Sequence, residues 1–207
     1  MDYIREDIIF AACHRAYALT DYNIQVTMDK RFEFRRQTIL ADKSLTKDEK
    51  SYAIKILNED FDKYKILLNE GTKRICENCH DECLATLYCE HCVRNYLKSS
   101  FSNWTSGNND IDNLIQQCQM ETFRPDRIVE WIPYNKLQNI KYLTKGGYSE
   151  IYGAYWIDGR YDEWNSKEKQ LKRKGGHDVV LKKLENVENA NRSWFDESKF
   201  HLSISNK

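Results

Sequence analysis

Two Cys-x-x-Cys pairs, Cys76-Glu-Asn-Cys79 and Cys89-Glu-His-Cys92, stand nine residues apart and constrain this chain more than any other feature. Two intervening residues let a tight turn aim both thiolates at one point. Two such turns facing each other complete a tetrahedron with zinc–sulfur distances of about 2.3 Å. Four thiolates leave no open position for water, so the pattern predicts a structural zinc rather than a catalytic one. The metal would hold together a segment too small to have a core of its own. His80, Cys83 and His91 stand nearby as rival ligands, and Cys83 reads as a small buried hydrophobe or a spare thiol. A redox role for either pair lacks the strand-then-helix context which that motif needs. The run Ala85-Thr-Leu-Tyr88 predicts a short strand leading into the second turn.

Composition fits that reading. Five of the seven cysteines fall between positions 76 and 92, a clustering that speaks for metal rather than disulfides. Lone Cys13 and Cys118 read as buried. The 207 residues are 41% hydrophobic and 13% aromatic, enough to bury a core. Thirty-two basic and thirty-two acidic residues cancel, so no global field draws the chain to nucleic acid or an anionic membrane. The acidic start and the short apolar run Ile8–Cys13 match neither a secretory signal nor a membrane span. The expectation is an intracellular, cytoplasmic chain whose partners are other proteins; its oligomeric state is not legible.

Residues 1–45 lean helical, with Ile8, Ala11, Ala12, Arg15 and Leu19 at helical spacing. Thr46-Lys-Asp-Glu49 is a capping box. Ala53, Ile56, Leu57, Phe61, Tyr64 and Leu68 recur at steps of three and four after it, with Gly71 as the expected stop. This predicts an amphipathic helix of about six turns whose apolar stripe packs at home. Further helices are expected from Val93 and over Asp112–Met120, separated by the turn-forming stretch Ser102–Asp110.

The last third has a different pattern. Leu143-Thr-Lys-Gly-Gly-Tyr-Ser-Glu-Ile-Tyr-Gly-Ala-Tyr-Trp156 followed by Val179-Val-Leu-Lys182 resembles the glycine-rich loop and lysine strand that open a protein kinase domain. Aligning Tyr152 and Ala154 with the family's Tyr-x-Ala puts Thr144, Gly146 and Ser149 at its three glycine positions, with Gly147 next door. The resemblance implies that Leu143, Ile151 and Val180 roof an adenine, that Lys182 neutralises the α- and β-phosphates, and that Glu197, on a helix beginning near Ser193, pairs with Lys182. Phe200 and Ile204 would share that helix's face. Threonine in place of the first glycine restricts the backbone where it must turn, so ATP binding is expected to be weak or lost. The stretch Ile157–Gly176, with its basic run Lys167–Lys174, reads as a solvated insertion between strands.

The expected fold is α+β: a helical leader over 1–71, a four-cysteine zinc module with flanking helices over 72–128, and over 129–207 an incomplete kinase-like small lobe of three antiparallel strands and one helix. The family's activity is ATP-dependent phosphoryl transfer to protein hydroxyls, a signalling reaction. The catalytic loop and magnesium-binding motif it needs are not among the 207 residues, so the chain alone is expected to be inactive. The competing expectation is a zinc-stabilised protein-interaction module that keeps a relic of the small lobe.

Overall fold

The computed structural model describes residues 4–146 and 149–184. Gly147, Glu197 and the helix expected from Ser193, with Phe200 and Ile204, lie outside the described residues. The fold is mixed α and β, with five α-helices and three small antiparallel sheets among the described residues. Two compact units divide between Glu90 and His91. No helix among the described residues is long and apolar enough to cross a membrane.

The first unit opens with three helices, α1 (Glu6–Ala18), α2 (Met28–Ala41) and α3 (Lys47–Leu68). Their shared core is Ile9, Ala12, Cys13 and Ala16 from α1 with Ile39, Leu45, Ala53 and Leu57. The buried face of α1 is therefore one position on from the expected one. Ala11 and Leu19 are exposed, because the stripe at 9, 12, 13 and 16 meets both neighbouring helices.

The capping box at the start of α3 forms with both of its hydrogen bonds. Its Glu49 does more than cap: Arg5 Nε and Nη2 each donate to its carboxylate at 2.7 Å, a bidentate tie from the start of α1 to that of α3. The C-cap of α3 is the left-handed Asn69, with φ 51°, and Gly71 follows two residues on with φ 103°. Asparagine is the usual second choice there. The stripe of α3 packs only in part, since Ala53 and Leu57 are buried but Tyr64 and Leu68 are exposed.

Two short strands follow, β1 (Arg74–Ile75) and β2 (Glu82–Cys83), paired antiparallel. Then come α4 (Glu90–Ser99), which begins three residues before the expected Val93, and α5 (Asn109–Met120). The side chain of Asn108 caps α5, accepting from the backbone N–H groups of Asp110 and Ile111 at 2.9 and 3.3 Å.

A three-stranded sheet in the order β3 (Leu137–Gly146), β4 (Ser149–Trp156), β7 (His177–Leu184) makes up the rest with a hairpin, β5 (Tyr161–Asn165) and β6 (Gln170–Arg173). The expected insertion between strands is this hairpin, and its basic run Lys167–Lys174 is exposed except at Leu171. Leu171 is buried, and Arg173 Nη2 reaches Glu130 at 2.6 Å while its guanidinium lies 4.0 Å from the Tyr161 ring. Trp164 meets Tyr96 of α4 edge-on, ring centres 5.9 Å apart. Leu171 stands between exposed Gln170 and Lys172, so the basic run hides its one buried side chain.

Candidate metal centre and exposed sheet face

The β1–β2 pair carries the first cysteine turn between its strands. Cys76 N–H donates to Asp81 O and His80 N–H to Cys76 O, both at 2.9 Å, closing the turn from either end. His80 takes the left-handed conformation, φ 62°, which histidine visits more readily than most residues. The backbone N–H of Asn78 points at Cys76 Sγ at 3.4 Å. The second pair is built differently. Cys89 immediately precedes α4 and Cys92 lies in its first turn, so the helical pitch returns the second sulfur to the side of the first.

These two constructions bring the sulfurs of Cys76, Cys79, Cys89 and Cys92 within 4.8 Å of one another. Cys79 Sγ and Cys89 Sγ are 3.6 Å apart. A tetrahedron with zinc–sulfur bonds of about 2.3 Å has edges of roughly 3.8 Å, so the donor set has the size a zinc ion needs. Three of the four cysteines are buried and Cys79 is half-buried. The group of four contains neither His80 nor His91, the rivals on sequence grounds. The described residues thus hold a cysteine cluster able to bind a metal such as zinc.

Cys83 is only 1% exposed and stands within the same 4.8 Å limit of Cys89 and Glu90. Burial pushes its thiol up, as it does those of Cys13 and Cys118.

Residues 84–88, which join the two turns, are not the expected strand. Their backbone groups go to three charged side chains instead of a ladder. Glu90 accepts from Leu84 N–H at 2.8 Å and Ala85 N–H at 3.3 Å. Asp62 of α3 accepts from Thr86 N–H at 2.7 Å, Leu87 N–H at 2.8 Å and the Thr86 hydroxyl. Arg74 donates to Ala85 O at 2.9 Å and Tyr88 O at 2.5 Å. Asp62 and Glu90 are both buried, so these bonds answer the desolvation of backbone and carboxylate together. The sequence reading missed all three clamps.

In the three-stranded sheet, Ile151 lies across from both Thr144 and Lys182, Gly146 from Ser149, and Gly153 from Val180. Directly opposed residues share a face, as do residues two apart on one strand. A bulge between Tyr142 and Thr144 brings Leu143 round to that face as well: a Cβ on Gly153 would sit 3.5 Å from Leu143 Cδ1. Leu143, Thr144, Gly146, Ser149, Ile151, Val180 and Lys182 therefore line one side of the sheet. Leu143 and Val180 are 53% and 71% exposed, large values for apolar residues on paired strands. The opposite face carries the Tyr142–Tyr152 edge-on pair and buried Ala154 and Trp156.

Comparisons of the chain with family models, with curated proteins and with solved structures found no match.

Proposed function

We propose that this chain is a protein-kinase-like protein in which a four-thiolate structural zinc centre precedes the nucleotide-facing sheet of a small lobe. The observation that carries this reading is the convergence of Leu143, Ile151, Val180 and Lys182 on one sheet face. Three apolar side chains beside one ammonium are what an adenine ring and its phosphates require of a surface. A strand pair closing at Gly146 and Ser149 supports a hairpin over those phosphates. The zinc would contribute folding energy and no chemistry, since four thiolates fill its coordination. By this reading the activity served is phosphoryl transfer from ATP to protein hydroxyls, and residues 137–184 supply nucleotide contacts rather than the proton-accepting carboxylate.

Titration of the zinc-loaded chain with a fluorescent ATP analogue tests this. Binding is expected in the millimolar range or weaker, about −4 kcal/mol. Lys182→Ala and Val180→Asp should each weaken it further. Micromolar binding that neither substitution changes would remove the sheet face from the reading.

The cysteine cluster also favours a second reading, a zinc-stabilised module that binds other proteins and keeps the sheet as a relic. Zinc uptake with no nucleotide binding at any concentration would select it.

A further inference from the structure

Helices α2 and α3 stack Phe32 on Phe61, ring centres 4.2 Å apart and planes at 22°. Above that floor they leave a cleft of about 330 Å³ that opens to solvent. Its rim is apolar where a surface is ordinarily polar: Tyr22 is 57% exposed, Tyr64 46% and Leu68 53%. The stripe that should bury α3 against its neighbours is thus uncovered at its C-terminal end, at Tyr64 and Leu68.

Two guanidiniums flank this cleft. Arg31 lies 4.5 Å from the Tyr22 ring and donates to the carbonyls of Gln25 and Val26. Arg35 lies 3.9 Å from the Tyr17 ring and donates to the hydroxyls of Thr20 and Tyr22. All of these partners are neutral, and among the described residues neither guanidinium pairs with a carboxylate. Stacking and hydrogen bonds hold both charges in fixed places, while the Nη1 edge of each makes no hydrogen bond among the described residues. Being four residues apart on α2, they stand one helical turn from each other.

We propose that this cleft docks an amphipathic helix of a partner protein, with two carboxylates one turn apart meeting Arg31 and Arg35 and large apolar side chains covering the Phe32–Phe61 floor and the Leu68 rim. The charge pair chooses an acidic occupant, and its spacing matches the repeat of a helix laid along α2. The cleft volume is at the lower end of small-molecule sites, and its rim residues Tyr22, Tyr64 and Leu68 are about half exposed, so a helix that covers the rim fits better than an enclosed ligand. This proposal stands independently of the sheet face and of the metal.

The test uses the full zinc-loaded chain and a fluorescein-labelled helical peptide of about 16 residues, with leucines at steps of three and four and two glutamates one turn apart beside them. Fluorescence polarisation should show saturable micromolar binding, at least about 10-fold weaker for the same peptide with glutamine in place of glutamate. A combined Arg31→Glu and Arg35→Glu chain should lose the glutamate peptide and accept a lysine version. Because both arginines also hold the 20–26 loop, Leu68→Ser and Tyr64→Ser, at exposed positions, serve as variants that keep the fold. Each should weaken binding by about 10-fold with an unchanged circular dichroism spectrum. Binding indifferent to the glutamine swap, or unchanged by both rim substitutions, overturns the proposal. So does self-association in sedimentation equilibrium that Leu68→Ser abolishes, since a second copy would then cover the cleft.

Discussion

The Asp62 carboxylate, in the body of α3, accepts the backbone N–H of Leu87 at 2.8 Å and so ties the long helix to the loop that delivers the second cysteine pair. Lys65 Nζ lies 3.6 Å from the same carboxylate, and both side chains are almost wholly buried. Removing the charge from Asp62 leaves a buried ammonium without its counter-ion and weakens three donors' acceptor at once. Asp62→Asn should cost about 3–5 kcal/mol in urea unfolding of the metal-loaded chain. Adding Lys65→Met should return part of that loss, because the stranded ammonium is then gone; no recovery would mean that the lost loop bonds account for the whole effect.

Metal content separates the cysteines. The reduced chain, purified without chelator, should carry about one zinc. Cys76→Ser and Cys92→Ser should lose it and unfold residues 76–92. Cys13→Ser, in the helical core, and Cys83→Ser, outside the group of four, should retain it. Elemental analysis reads the difference directly.

Acid should loosen the ties among the first three helices. The Arg5 hydrogen bond, with help from Thr46 N–H, holds the Glu49 carboxyl at about 2 against its ordinary 4.5. Hydrogen bonds from Ser44 and Arg15 hold that of Asp42 at about 2 against 3.8. Both folded values are depressed, so between pH 2 and 4.5 the unfolded chain binds more protons and stability rises with pH. The contribution is complete above that window and is lost as pH falls through it. Glu49→Gln should flatten the pH dependence of helical ellipticity in this window and leave the slope near neutrality as it was.

Gly159 has φ 65°, and a Cβ there would collide with the carbonyl oxygen of Gly175. Gly159→Ala should therefore lower stability by more than about 1 kcal/mol, seen as a reduced melting temperature. Gly107 also has positive φ, 83°, but open space around it. Gly107→Ala should show only the backbone strain and so the smaller shift.

What could be read from the sequence was whatever a local repeat or spacing specifies. The cysteine pairs were legible because two intervening residues already dictate a turn. The start of α3 was legible because Thr46 and Glu49 cap each other across one turn. The residues of the exposed sheet face were named from the kinase-like resemblance, and Leu143 joins the others there only through the bulge between Tyr142 and Thr144, which no local spacing marks. The clamps on residues 84–88 were not legible: Asp62 lies 24 residues from Thr86, and nothing near either marks the pairing. Ala85–Tyr88 looked like a strand because its side chains suit one, while the destination of the N–H groups of Ala85, Thr86 and Leu87, Glu90 or Asp62, is not marked in the sequence. In α1 the periodicity was present but its phase was set by two helices packed against it, which moved the buried face by one position. Arg173 and Leu171 were masked by the lysines around them, though Trp164, seven residues before Leu171 and nine before Arg173, could have signalled a hairpin with an inward side.

The β5–β6 hairpin has a consequence for the order in which the sheet assembles. Trp156 pairs with His177, so β4 and β7 can meet only when residues 157–176 are drawn into a loop. Pairing of Tyr161–Asn165 with Gln170–Arg173 takes most of those residues out of the loop and leaves short stems on either side. The closure entropy falls by about 1 kcal/mol, on a logarithmic dependence on free length. Formed first, the hairpin would act as a local splint that shortens the search for the third strand. A substitution that weakens its turn, such as Asn165→Ala, should slow refolding more than it speeds unfolding.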